Sequence, residues 1–186
     1  RLVDWFTSIT NIKDRKVNIL DIGAGKCDLL ISFRKKFHDA QLYGIDYSPR
    51  SKLYGKAKGI DNIVIGDFYT ENHNGMLFDV VTATGVLEHQ LDLIKFINKI
   101  KLLSKDGAYI LIEVPSSLSI LTKRGDLNSK CIHDIYNNEH FHHFYLENLI
   151  GLFISHGFEI IDSQERTRGI WEVIDIVVRY YYNNHK

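Results

Sequence analysis

The chain has 186 residues, 45% of them hydrophobic and 25% charged, and its 23 basic and 23 acidic side chains cancel to a formal net charge of zero. That length fits one domain built on one substantial core, and the even charge balance speaks against a nucleic-acid partner. Two cysteines, Cys27 and Cys131, are too few for a disulfide framework and point to a reducing, cytoplasmic setting, and no apolar run approaches the roughly 18 residues of a membrane span.

Leu2, Trp5, Phe6, Ile9 and Ile12 recur at helical spacing, which predicts a short amphipathic helix covering the sheet. Residues 18–21 read as a strand that runs into the turn Gly23-Ala24-Gly25. Leu29, Leu30, Phe33 and Phe37 then mark one face of a helix. A strand ending in glycines and opening a helix is how open α/β sheets build a nucleotide site. The glycines let backbone approach a ligand closely because no Cβ intervenes.

The dinucleotide fingerprint would require a third glycine at position 28, where the chain has Asp28, and Asp21 stands just before the turn. Two carboxylates repel a pyrophosphate, and no Lys followed by Ser or Thr closes a P-loop. A ligand without phosphates and with positive charge fits better, and S-adenosylmethionine, with its sulfonium and ammonium, is such a ligand.

Gln41–Asp46 reads as a second buried strand, ending in an acid about twenty residues past the glycines, the offset at which a carboxylate meets ribose hydroxyls. Ser48-Pro49 reads as an N-cap followed by proline at the first helical position. Residues 62–66 form a third strand followed by Asp67-Phe68, and residues 78–83 a fourth that runs into Thr84-Gly85-Val86-Leu87-Glu88-His89. Leu93, Ile94, Ile97, Ile100 and Leu103 mark a further helical face, and residues 108–114 a fifth strand closed by Pro115.

Residues 116–144 lack periodicity, and a stretch of that length inside a compact domain reads as a lid or acceptor-binding segment. Helical spacing returns over 145–156 with Gly157 as its stop, and residues 158–162 and 173–182 read as two closing strands. Four of the nine histidines fall in the long segment: His133, His140, His142 and His143. The spacing His140-Phe141-His142-His143 matches no metal-ligand pattern, so no metal is expected there. A histidine with a pKa of about 6.5 can take a proton at neutral pH, which makes His140, His142 and His89 candidates for the catalytic base or acceptor partner.

The turn Asp21-Ile22-Gly23-Ala24-Gly25-Lys26-Cys27 resembles motif I of the class I S-adenosylmethionine-dependent methyltransferases, D/E-x-G-x-G-x-G, with Cys27 at the last glycine. Residues 78–92 resemble the F-D-V-V-x-x-x-x-V-L-E-H-x-x-D segment of the small-molecule group that includes ubiquinone-type and sugar methyltransferases. Glu139-His140-Phe141-His142-His143-Phe144-Tyr145, then a helix and Gly157-Phe158, looks like that group's E-H-x-x-x-F-[ST] and G-F pattern. The resemblance spans roughly residues 17–160.

The resemblance implies a Rossmann-like α/β fold: a seven-stranded, mostly parallel sheet with an antiparallel last strand and helices on both faces, in one domain over 1–186. It implies a cofactor site of Asp21, Gly23, Ala24, Gly25 and Tyr47, with Asp46 at the ribose, Asp67 and Phe68 at the adenine, and Ala83 and Thr84 at the methionine end. It also implies methyl transfer to a small polar acceptor, a sugar or surface-polysaccharide precursor, with no nucleic-acid or membrane partner and an open oligomeric state. The rival readings are an NAD(P)-dependent oxidoreductase and a non-catalytic cofactor-binding scaffold of the same fold.

Overall fold

A computed structural model of the chain describes residues 1–12, 16–117, 139–168 and 171–182. Its strands are β1 (Asn18–Ile22), β2 (Gln41–Asp46), β3 (Asn62–Ile65), β4 (Phe78–Thr84), β5 (Ser104–Pro115), β6 (Phe158–Arg168) and β7 (Trp171–Tyr180). All seven join one sheet in the order β3-β2-β1-β4-β5-β7-β6. β1 to β5 pair in parallel, whereas β7 runs antiparallel to both β5 and β6. A dinucleotide dehydrogenase sheet would read 3-2-1-4-5-6 and parallel throughout. The inserted antiparallel β7 departs from it and matches the expected class I methyltransferase arrangement.

Side chains alternate across a strand, so each strand feeds two cores. Leu20, Ile22, Val81, Ala83, Ile110, Ile112, Ile174 and Ile176 face one side, where they meet helices α4 (Leu93–Leu103) and α5 (Leu146–Ser155) through Phe96, Ile97, Ile100, Leu149 and Phe153. Val17, Ile19, Val80, Leu111 and Val177 face the other side, against α1 (Leu2–Ile9) and α2 (Asp28–Arg34) through Phe6, Leu30 and Phe33. Helix α3 (Pro49–Ala57) lies on that second side, its Gly55 packed on Ile63 of β3.

Several boundaries differ from the sequence reading. β5 begins at Ser104, because a register shift between Phe78 and Val80 lets the chain pair with β4 before the left-handed Gly107. β6 extends to Arg168 through polar residues whose partners lie across the sheet. Ile94, assigned to the buried face of α4, is exposed, and Asp92 caps that helix by accepting from the Lys95 N–H at 2.9 Å. Pro49 opens α3 as expected, but the Ser48 side chain makes no cap bond. At α5 the N-cap Tyr145 gives its N–H to the Asn148 side chain at 3.0 Å, which replaces the Ser or Thr usual at this place. No described helix is long and apolar enough to cross a membrane.

Candidate functional site

Strand order reverses between β1 and β4, and open α/β sheets bind ligands beyond the carboxyl ends of strands at such a point. A pocket of about 480 Å³ opens there. Its floor comes from four strand ends: Ile22, the last residue of β1, and Gly23 after it, Ile45 and Asp46 from β2, Gly66 after β3, and Gly85 after β4.

The glycine turn is stitched to the end of β2. Gly23 and Ala24 donate their N–H groups to the Ile45 carbonyl at 2.8 and 3.2 Å, and Gly25 N–H reaches Asp46 Oδ2 at 2.7 Å. Gly23 has φ +72, and a Cβ there would stand 2.6 Å from Val86 Cγ2. Both conformation and space therefore demand glycine. Cys27, at the motif's last glycine, also adopts the left-handed region with φ 61, and its thiol is buried.

Asp46 accepts from two backbone donors, Gly25 N–H on Oδ2 and Ser48 N–H on Oδ1, both at 2.7 Å. Each carboxylate oxygen carries two lone pairs, so one acceptor position per oxygen remains for a ligand hydroxyl. The carboxylate is thus fixed in direction by the turn it serves.

Asp21 lies behind this loop with 2% exposure. Its carboxylate accepts the Thr82 hydroxyl at 2.6 Å. Burial pushes its pKa up to about 7; the Thr82 bond opposes the rise and the nearby Asp46 charge adds to it.

At the opposite wall Phe68 is buried against Phe96, with ring centroids 5.2 Å apart. The Asp67 carboxylate accepts from the Tyr47 hydroxyl at 3.0 Å and from Tyr69 N–H at 2.9 Å. Of the residues assigned to the cofactor, Gly23, Asp46, Tyr47 and Phe68 line the pocket. Asp21, Ala24, Gly25, Asp67, Ala83 and Thr84 do not line it; of these, Gly25 and Asp67 hydrogen-bond the lining side chains of Asp46 and Tyr47, and Ala24 the Ile45 carbonyl.

Tyr69, Gln90 and Lys95 line the pocket too, and the sequence reading missed them. Tyr69 donates its hydroxyl to Gln90 at 2.8 Å, and the Lys95 ammonium sits 4.6 Å over the Tyr69 ring. The usable signal was position: Tyr69 and Gln90 directly follow motifs at strand ends, where this fold places ligand contacts.

His89 ends a 3₁₀ turn, Leu87–His89, and lines the pocket. Its ring meets the His140 ring edge-on at 4.8 Å, so two of the three candidate histidines come together. His142 does not join that ring pair: its own ring is tilted against Phe144, and its buried Nε2 has no hydrogen-bond partner among the described residues. Glu88, beside His89, is 3% exposed, and burial pushes its carboxyl pKa up. Of the 116–144 segment, residues 118–138, including His133, lie outside the described residues. Its two ends meet where Ser117 N–H reaches the Phe144 carbonyl at 2.9 Å.

Residues 1–163 match a family model described as a methyltransferase domain. No curated protein sequence matches the chain. Among solved structures, an S-adenosylmethionine-dependent methyltransferase from Clostridium acetobutylicum superposes with a TM-score of 0.69 at 13% identity, over 96% of this chain and 89% of that one. The plantazolicin methyltransferase BpumL, crystallised with S-adenosylhomocysteine (SAH) and a triazolic desmethylPZN analog, gives 0.72 at 15% identity over 96% and 81%. The [4+2]-cyclase SpnF gives 0.74 at 15% over 97% and 80%. At such identities the likenesses establish the fold, and the cyclase shows that the fold hosts more than one chemistry.

Proposed function

The chain belongs to the methyltransferase domain family, and from that premise we propose that it moves a methyl group from S-adenosylmethionine to a small polar acceptor bound beside His89. The observation that carries this reading is the β1–β2 junction. There Gly23 leaves room that no other residue would leave, and Asp46 is aimed by Gly25 into a pocket of about 480 Å³. Phosphate-binding features are missing from that junction: Asp28, at the third-glycine position of dinucleotide sites, pairs instead with Lys58.

S-adenosylmethionine, when bound, supplies a methyl group on a sulfonium that leaves as a neutral thioether. The chain's own residues hold and align. Asp46 accepts ribose hydroxyls, Tyr47 and Phe68 wall the adenine with Asp67 fixed behind them, and the Gly23 to Gly25 backbone follows the methionine chain. Asp21 and Asp46 favour the cofactor's positive charge. Alignment of donor and acceptor supplies most of the rate. His89 and His140 face the acceptor, as hydrogen-bond partners or as the group that takes its proton. A sugar or surface-polysaccharide precursor, with several hydroxyls and little bulk, is the acceptor class that suits these polar partners.

Isothermal titration of the chain with S-adenosylmethionine, its demethylated product, and NADPH tests the reading. Saturable binding of the first two, with NADPH silent, is expected. Preference for NADPH would revive the oxidoreductase reading. Binding without methyl transfer to any member of a hydroxylated acceptor panel would favour the non-catalytic scaffold.

A further inference from the structure

Glu88, His89 and His140 each offer one ligand atom, and these atoms all lie within 4.8 Å of one another; of the three, His89 lines the pocket. Two ligands about 2.1 Å from one ion can stand at most about 4.2 Å apart, so a small side-chain closure brings all three into range. Along the chain, the spacing of residues 140–143 alone suggests no metal site. The third dimension brings in residues 88 and 89 from fifty positions away.

The cluster is built and held. The Glu88 carbonyl accepts from the N–H groups of Phe141 at 2.9 Å and His142 at 3.2 Å, which fastens the His140 segment onto residue 88. His89 Nδ1 lies 2.8 Å from the Glu139 carbonyl oxygen. A carbonyl only accepts, so Nδ1 carries the hydrogen, and in the neutral ring Nε2 presents a lone pair. That is how protein scaffolds orient a metal-binding imidazole. Nε2 stands 3.7 Å from Glu88 Oε1. Glu88 Oε2 is buried with no hydrogen-bond partner among the described residues. Two electron-pair donors thus face each other, and a third donor group sits beside them.

The geometry points to a divalent transition-metal site of two imidazoles and one carboxylate, with open coordination positions toward the pocket. The donor set suits Zn²⁺ and its first-row neighbours better than Mg²⁺ or Ca²⁺, which take mainly oxygen. What the cation would do rests on the methyl-transfer reading; that it binds does not. An acceptor hydroxyl coordinated there becomes more acidic and gives its proton to solvent. The O–CH₃ bond then forms as the S–CH₃ bond breaks and the sulfonium becomes a thioether.

The test is titration of Zn²⁺ into the chelator-treated full chain, with the visible spectrum of added Co²⁺ as a second readout. The wild type should bind one equivalent. His89→Ala and His140→Ala should each weaken binding by at least the roughly 10–100-fold that follows loss of an outer hydrogen-bond partner of a metal ligand. Both should also lose the Co²⁺ bands, Glu88→Gln should weaken Zn²⁺ binding, and His38→Ala, an exposed histidine elsewhere, should change nothing. Circular dichroism of each variant separates lost binding from lost folding. No saturable binding in the wild type would overturn the site. So would equal binding in folded His89→Ala and His140→Ala, which would assign the metal to the chain's other histidines. SAH titrated into the same wild-type sample keeps the two readings apart. SAH binding without Zn²⁺ sinks the cation site alone, and Zn²⁺ binding without SAH sinks the methyl-transfer reading alone.

Discussion

Asp21 and Thr82 are register partners across β1 and β4, and the Thr82 hydroxyl donates to the Asp21 carboxylate at 2.6 Å inside a fully buried environment. One neutral donor does not offset the loss of water, so the Asp21 pKa rises from its usual 3.8 to about 7. Between those values the folded chain binds a proton that the unfolded chain has released, so stability falls as pH rises through that window and levels off above it. Asp21→Asn keeps the shape without the titration. Thermal denaturation across pH 4 to 8 should show a steeper decline for the wild type than for Asp21→Asn. Parallel curves would mean that water or an ion reaches Asp21.

Gly23 and Val86 form a second testable pair. A methyl group at Gly23 meets Val86 Cγ2 at 2.6 Å, and φ +72 adds conformational strain of about 1–2 kcal/mol for an L-residue. Gly23→Ala should lose stability from both causes. Adding Val86→Ala should relieve the clash and leave the strain. Urea unfolding of the two single variants and the double variant separates them. Additive losses in the double variant would contradict contact between the two residues.

The sheet was legible because its strands are buried on both faces and read as apolar runs, and because glycines and acids punctuate their ends. β2 shows this: its bounds follow directly from the apolar stretch 42–45 and the acid at Asp46. β6 was read short because Ser163, Gln164, Glu165 and Arg166 look like loop. They continue an outer strand whose polar side chains find partners such as Asp175, Glu113 and Ser116 across the sheet. Asp46 as a site residue was visible from its distance to the glycine turn. The meeting of His89 with His140 was not, because hydrogen bonds between residues 139–142 and residues 88 and 89 create it. Local sequence carries no trace of such a long-range contact.

Asp46 joins the turn to the pocket, so its substitutions should separate two roles. Asp46→Ala removes the acceptor for ribose hydroxyls and the tether on Gly25, and should weaken S-adenosylmethionine binding by about 1.5–3 kcal/mol, the range for a hydrogen bond to a charged group. Asp46→Asn keeps one carbonyl oxygen for the loop N–H and should recover part of that loss. Calorimetric affinities for the cofactor and its demethylated product read both. An unchanged affinity in Asp46→Ala would remove the residue from the site.

Arg166 supports the far side of the sheet. Glu113 on β5 and Asp175 on β7 are register partners with 2% and 0% exposure, and their carboxylates would repel each other without a cation. Arg166 on β6 supplies it, reaching Asp175 through Nε and Nη2 and Glu113 through Nη2, while Arg168 takes the other Glu113 oxygen. Arg166→Met preserves most of the apolar stem and removes the charge. Leaving buried carboxylates uncompensated should destabilise the chain by about 3–5 kcal/mol. Burial already holds the Glu113 carboxyl above its usual pKa, with Arg168 and Arg166 opposing the rise; losing the Arg166 guanidinium strengthens the rise, so the folded state keeps a proton that the unfolded state releases. The deficit should therefore shrink as pH falls toward 4 and grow as it rises. Adding Glu113→Gln and Asp175→Asn to Arg166→Met should restore much of the loss at neutral pH. Urea unfolding at pH 5 and pH 8 measures each step. A loss below about 1 kcal/mol in Arg166→Met, the size of an exposed ion pair, would show that water already solvates this cluster.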